Sequence, residues 1–141
     1  MKNHVLIKED NFEKARREIK KNKGKKIIFS GDNDVLNQKV LEKEKINILL
    51  LNQSFRKDRQ KQRDSGLNQV LAKLAKKKGV VIGVNLDEII DSKEKKRAEI
   101  LGRVRQNITL CNKNRLNMKF IALKRKNERD IYDLKALGLV L

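Results

Sequence analysis

Proline and tryptophan are absent from this chain of 141 residues, which also holds only one cysteine, one histidine, one tyrosine and four phenylalanines. A lone cysteine forms no internal disulfide, so disulfide-stapled secreted scaffolds are set aside and a reducing cytoplasm is the expected compartment. The missing apolar leader and cleavage site agree with that expectation. No apolar run approaches the ~20 residues of a spanning helix, and no helix sets a basic face against bulky aromatics, so no membrane partner is expected. Aromatic content of 4% is too low for a sheet that stacks several bases, and no zinc-finger or KH signature is present. One histidine is too few for the several histidines and carboxylates that activate water on a metal. His4 has no His-x-His partner and is expected to be hydrogen bonded or solvent facing. Gly31, Gly66, Gly79 and Gly83 fit neither P-loop nor dinucleotide-binding spacing. Ser30, Ser54, Ser65 and Ser92 have no histidine placed to deprotonate them. The expectation is a binding protein with no catalytic residue, metal ligand or cofactor of its own.

What the chain has in excess is positive charge. Lys and Arg number 36 against 18 Asp and Glu, giving a formal net charge of +18. Such self-repulsion is relieved by a polyanion, and nucleic acid is the natural one. Three stretches concentrate the charge. From Lys14 to Lys26 there are eight basic residues and one acid. The loop from Asn52 to Asp64 carries Arg56, Lys57, Arg59, Lys61 and Arg63 against Asp58 and Asp64. At about thirteen residues it exceeds the usual two to six of a strand-to-helix connection, as functional loops do. Phe55 in that loop could stack on an unpaired base. The segment from Ser92 to Asn114 carries Lys93, Lys95, Lys96, Arg97, Arg103 and Arg105. Its apolar stripe reads Ala98, Leu101, Val104, Ile108 and Cys111, which turns the arginines toward solvent, a partner or RNA phosphate. Cys111, in register with that stripe, is expected to be core.

Strand patterns fall at His4 to Ile7, Lys26 to Ser30, Ile46 to Leu51, Val80 to Val84 and Lys119 to Leu123, separated by helical segments. Asp10 with Glu13 and Asp91 with Glu94 have capping-box spacing, and Gly24 and Gly79 mark helix ends. This alternation predicts a single domain over 1–141, with parallel strands joined by right-handed crossovers. Five units are too few for an eight-stranded barrel, so the expectation is a reduced or incomplete barrel-like α/β fold, with a five-stranded doubly wound sheet as the alternative. Asp87, Glu88 and Asp91 follow the fourth strand, where they could in principle collect Mg²⁺; a solvated turn with a helix cap is the simpler reading.

The stretch Asp64 to Leu86, DSGLNQVLAKLAKKKGVVIGVNL, joins a polar turn, an amphipathic helix and a buried strand. Ser65 is the expected helix cap, Leu67, Val70, Leu71, Leu74 and Ala75 form the apolar face, and Lys73, Lys76, Lys77 and Lys78 lie opposite or at the end. Its helix (Gly66 to Leu74) and strand (Gly79 to Gly83) resemble the hallmark of the archaeal and eukaryotic-type ribonuclease P protein component 3 family. Asp133 to Gly138 resembles the helix near the end of family members. The resemblance covers about residues 25 to 141 of a chain that looks N-terminally shortened. It implies a TIM-barrel-like fold related to metal-dependent phosphoesterase barrels and a non-catalytic subunit of ribonuclease P, the endonuclease that removes the 5′ leader of precursor tRNA. It further implies that the ribonuclease P RNA holds the catalytic Mg²⁺, that protein component 2 is the partner, and that precursor tRNA is met through the holoenzyme. An open barrel edge would be covered by component 2 or a second copy, as a homo-oligomer or heterotetramer. Family basic positions carry over to Arg63, Lys73 and Lys78; Gln69 departs from a frequent histidine and Asp87 from a frequent arginine. A metal-dependent phosphoesterase of the same barrel class and a general basic RNA-binding protein are the alternatives.

Overall fold

The computed structural model describes residues 4–58 and 64–141. Five strands, β1 (His4–Lys8), β2 (Lys26–Ser30), β3 (Ile48–Leu51), β4 (Val81–Asn85) and β5 (Met118–Ile121), form one sheet in the order β1-β2-β3-β4-β5. Every neighbouring pair is parallel, with His4 opposite Lys26, Ile28 opposite Ile48, Leu50 opposite Gly83 and Val84 opposite Phe120. A doubly wound sheet reverses its strand order at a switch point. This order runs straight through, so the architecture is the reduced, open barrel and not the alternative.

The helices are α1 (Phe12–Lys21), α2 (Asp34–Lys43), α3 (Gln69–Lys78), α4 (Leu86–Asp91), α5 (Glu94–Lys113) and α6 (Ile131–Val140), with a 3₁₀ turn at Arg125–Asn127. Asparagine starts most of them. The side chains of Asn11, Asn33, Asn68 and Asn85 each accept a backbone N–H from the first turn of α1, α2, α3 and α4, satisfying donors that the helix itself leaves open. The caps expected at Asp10, Ser65 and Asp91 are displaced accordingly. Ser65 is buried and lies before the cap, while Asp91 ends α4 instead of starting α5. Gly79 closes α3 in the left-handed conformation, φ 70°, where a side chain would strain the backbone. α1 ends earlier than Gly24, at Lys21.

The outer face of the sheet packs Ile7, Ile27, Phe29, Leu49, Leu51 and Ile82 against the helices, with Ala15, Ile19, Val40, Leu71, Ala75 and Cys111. The inner face builds a smaller layer from Ile28, Ile48, Leu50 and Ile121. Gly83 makes this layer possible: a Cβ there would lie 2.8 Å from Ile121 Cδ1 and 3.1 Å from both Ile48 Cγ2 and Leu50 Cδ1. Ile121 thus leans across the glycine, and five strands fill an interior that a full barrel fills with more.

Candidate nucleic-acid interface

The long loop after β3 is fastened to the body by charged side chains. Glu88 receives the backbone N–H of Gln53 at 2.8 Å and that of Ser54. Arg56 turns inward, 5% exposed. Its two terminal nitrogens form a fork onto the Asp34 carboxylate at 2.6 and 3.0 Å, one of them also reaches Asp64 at 3.2 Å, and Nε donates to the Asn52 carbonyl at 3.0 Å. The planar guanidinium suits such a convergent set of acceptors. Gly66, φ +82°, lets the backbone pass over it, since a Cβ there would fall 2.4 Å from the Arg56 guanidinium.

Arg103 is the second fastening. It is 2% exposed, donates from Nε to Asp58 at 2.9 Å and from a terminal nitrogen to the Gln53 carbonyl at 3.0 Å. One turn further along α5, Asn107 donates to the Ser65 carbonyl, which also accepts from the Gln53 amide. The buried stripe of α5 is therefore Ile100, Arg103, Val104, Asn107 and Cys111. The sequence stripe through Ala98, Leu101 and Ile108 is displaced, with Ala98 exposed, because two polar residues on this face are buried through partners in the loop. The expectation that Arg103 faces solvent or RNA is corrected by this geometry, and Arg56 is a buried strut rather than an open cation.

The other predicted basic residues separate clearly. Arg59, Lys61 and Arg63 lie outside the described residues. Lys57, Lys73, Lys78, Arg97 and Arg105 are exposed. Lys73 and Lys78 stand on α3, and Lys78 Nζ donates to the Glu42 carbonyl at 3.1 Å. Arg97 donates to the carbonyls of Ile89 and Ile90 at 2.8 Å each, tying off the end of α4. Lys95, one of the basic residues noted in the segment from Ser92 to Asn114, is exposed, as is Lys119, which the sequence reading did not single out. Val70, expected in the core, is 65% exposed, while Ala72 is fully buried. Gln69 pairs amide to amide with Asn114, at 3.0 and 3.2 Å, linking α3 to α5.

The carboxylates after β4 are tied into the fold by hydrogen bonds instead of forming a free solvated turn. Asp87 is buried and accepts the backbone N–H groups of Leu123 and Lys124 and the Asn127 amide, holding the segment after β5. Asp91 pairs with Lys124 and Asn127, whose hydrogen bonds, that of Lys124 foremost, hold its carboxyl below the usual range. Among the described residues, no group of histidine, cysteine and carboxylate side chains is arranged to hold a metal ion. Asp87, Glu88 and Asp91 each accept N–H donors, which a cation would have to compete with for these oxygens. His4 is half-buried, and its Nδ1 has no hydrogen-bond partner among the described residues. Burial first, then the charges of Lys119 and Lys26, lower its pKa. The ring is thus partly solvent facing, as expected, while one of its nitrogens is buried without a hydrogen bond.

At the carboxyl ends of the strands, Asn52 donates to Ser30 Oγ at 2.7 Å and to Asp32 at 3.4 Å, and accepts from Asn85 at 2.9 Å. This is the rim where barrel enzymes keep their active sites, and here it is occupied by a chain of amides. Among the described residues no helix is long and apolar enough to cross a membrane.

No family model matches the chain. It is 29% identical over 139 residues, 97% of its length, to ribonuclease P protein component 3 of Methanothermobacter thermautotrophicus, of which it covers 53%. It is 34% identical over 87 residues, 62% of its length, to the component 3 proteins of Methanosarcina acetivorans and Methanosarcina mazei, covering 34% of each. The chain thus spans between a third and about half of the curated relatives it matches. A chain in the cryo-EM structure of archaeal ribonuclease P with mature tRNA superposes with a TM-score of 0.77 at 26% identity, over 98% of this chain and 59% of that one.

Proposed function

We propose that this chain, a homologue of archaeal ribonuclease P protein component 3, works as a non-catalytic protein subunit of ribonuclease P, supporting removal of the 5′ leader from precursor tRNA. The observation that carries this reading is the superposition of 98% of the chain on part of an archaeal ribonuclease P assembly, joined to a charge of +18. The chemistry belongs to the RNA, which would hold the catalytic Mg²⁺. The protein's part is to lay exposed cations such as Lys57, Lys73, Lys78 and Arg105 against phosphates, releasing condensed counterions and reducing the Mg²⁺ the RNA needs to stay compact. Arg56 and Arg103 act one step back, by setting the shape of the loop that carries Lys57. Protein component 2 is the partner this reading assigns.

Reconstitution of ribonuclease P RNA with component 2, with and without this chain, tests the reading. Leader removal at low Mg²⁺ is expected to be faster with the chain present, and the difference is expected to shrink as Mg²⁺ rises. Equal rates at every Mg²⁺ concentration overturn it.

A further inference from the structure

The mouth of the open barrel contains a hollow of a different chemical character from the basic surface. Its cavity of about 200 Å³ is lined by three large apolar side chains that the core leaves half exposed, Leu6 (41%), Phe55 (45%) and Leu123 (46%). They come from β1, from the loop after β3 and from the segment after β5, so the sheet's curvature brings them together. Beside them stand Asp32, Asn52 and Lys8. Asn52 is fixed by hydrogen bonds on both ends of its amide. The Arg56 guanidinium lies 4.9 Å from the centroid of the Phe55 ring, which holds the ring in place from behind a side chain that is itself anchored.

In a chain of +18, this hollow is not basic, because Lys8 faces two carboxylates, Asp32 and Glu88, the latter already taken up by the backbone N–H groups of Gln53 and Ser54. A phosphate is better served by the helices outside. The hollow suits an uncharged planar ring with apolar faces and a hydrogen-bonding edge, and it is too small for a helix. We infer that it seats one unpaired RNA base, stacked on Phe55 between Leu6 and Leu123, with its exocyclic amino group donating to Asp32. This deepens the RNA-binding reading above and rests on it.

Because the chain has no tryptophan, Phe55→Trp places a single indole in the hollow, and a base stacked on it quenches its emission. The probes are hexa-adenylate, hexacytidylate, hexauridylate and an abasic hexamer, added to the full chain, with ribonuclease P RNA as the structured reference and anisotropy reporting binding. Base-bearing hexamers are expected to bind and quench, and the abasic hexamer to bind several-fold more weakly, through its phosphates alone, and not to quench. Phe55→Ala is expected to weaken their binding by roughly fivefold or more, as the loss of one stacked base does, with no change in salt slope because no phosphate contact is lost. Hexauridylate, which lacks the amino group, is expected to bind weakest, and Asp32→Asn to narrow that difference. Because Phe55→Trp keeps an aromatic ring, retained binding by that variant separates stacking from misfolding. If RNA binds without quenching, or the abasic hexamer binds as tightly as the others, the seat is overturned while the subunit reading stands. If neither the hexamers nor ribonuclease P RNA binds, both readings fall.

Discussion

Arg103 shows how a residue chosen for its charge is used for its shape. Its fork joins Asp58 and the Gln53 carbonyl inside a packed helix face, so removing it strands acceptors and leaves a cavity. Arg103→Ala is expected to lower unfolding free energy by about 2–4 kcal/mol in urea titration, whereas Lys73→Ala, on an exposed site, is expected to change it by under about 0.5 kcal/mol. RNA binding sorts the two in the opposite way. The slope of log affinity against log salt is expected to become shallower by roughly 0.7–0.9 for Lys73→Ala, and an unchanged slope would remove Lys73 from the interface. Cys111 is fully buried, and burial pushes its thiol from the ordinary 9.0 up to about 12. Below pH 9 folded and unfolded chains both keep the proton, so the stabilisation of the neutral thiol is complete. Between 9 and 12 only the unfolded chain ionises, and that contribution fades as pH rises. A disulfide reagent at pH 8 is expected to leave the native thiol unmodified and to react promptly in denaturant; prompt native reaction would contradict the buried placement.

At the scale of elements, the inner layer depends on what β4 lacks. Gly83→Ala is expected to destabilise by about 1–3 kcal/mol, because Ile121, Ile48 and Leu50 already occupy the space of a methyl group in a close-packed layer. Thermal unfolding checks it, and an unchanged midpoint would mean that the layer has slack. Strand positions were legible in the sequence because buried parallel strands are continuous apolar runs, and Ile48–Leu51 and Val81–Asn85 stand out as such. Helix starts were less legible, since every residue of Asp64, Ser65 and Asn68 is a competent cap and only tertiary packing selects Asn68. The site was the least legible part. Charge pattern distinguishes a basic face from an apolar one, but it does not reveal that Arg56 finds Asp34 twenty-two residues away, or that Arg103 finds Asp58 forty-five residues away. The hallmark glycine at 66 was visible as a motif, and its reason, the close passage over Arg56, became visible only in three dimensions.

For the whole molecule, the balance is between a small core and a large like charge. Salt screens the repulsion among exposed lysines, so the midpoint of unfolding is expected to rise as monovalent salt increases, while RNA affinity falls over the same range; a midpoint insensitive to salt would mean that the charges are compensated within the fold. The straight strand order has a further consequence, in time rather than in space. Each strand pairs with the one made just before it, so β2 can dock on β1, and β3 on β2, while the rest of the chain is still being synthesised. Among the described strands, none waits for a partner out of chain order. The exception is the inner layer, where Ile28, Ile48 and Leu50 stay uncovered until Ile121 arrives with β5. During synthesis the nascent half-barrel therefore carries its stickiest surface longest, and β5 is the step that retires it.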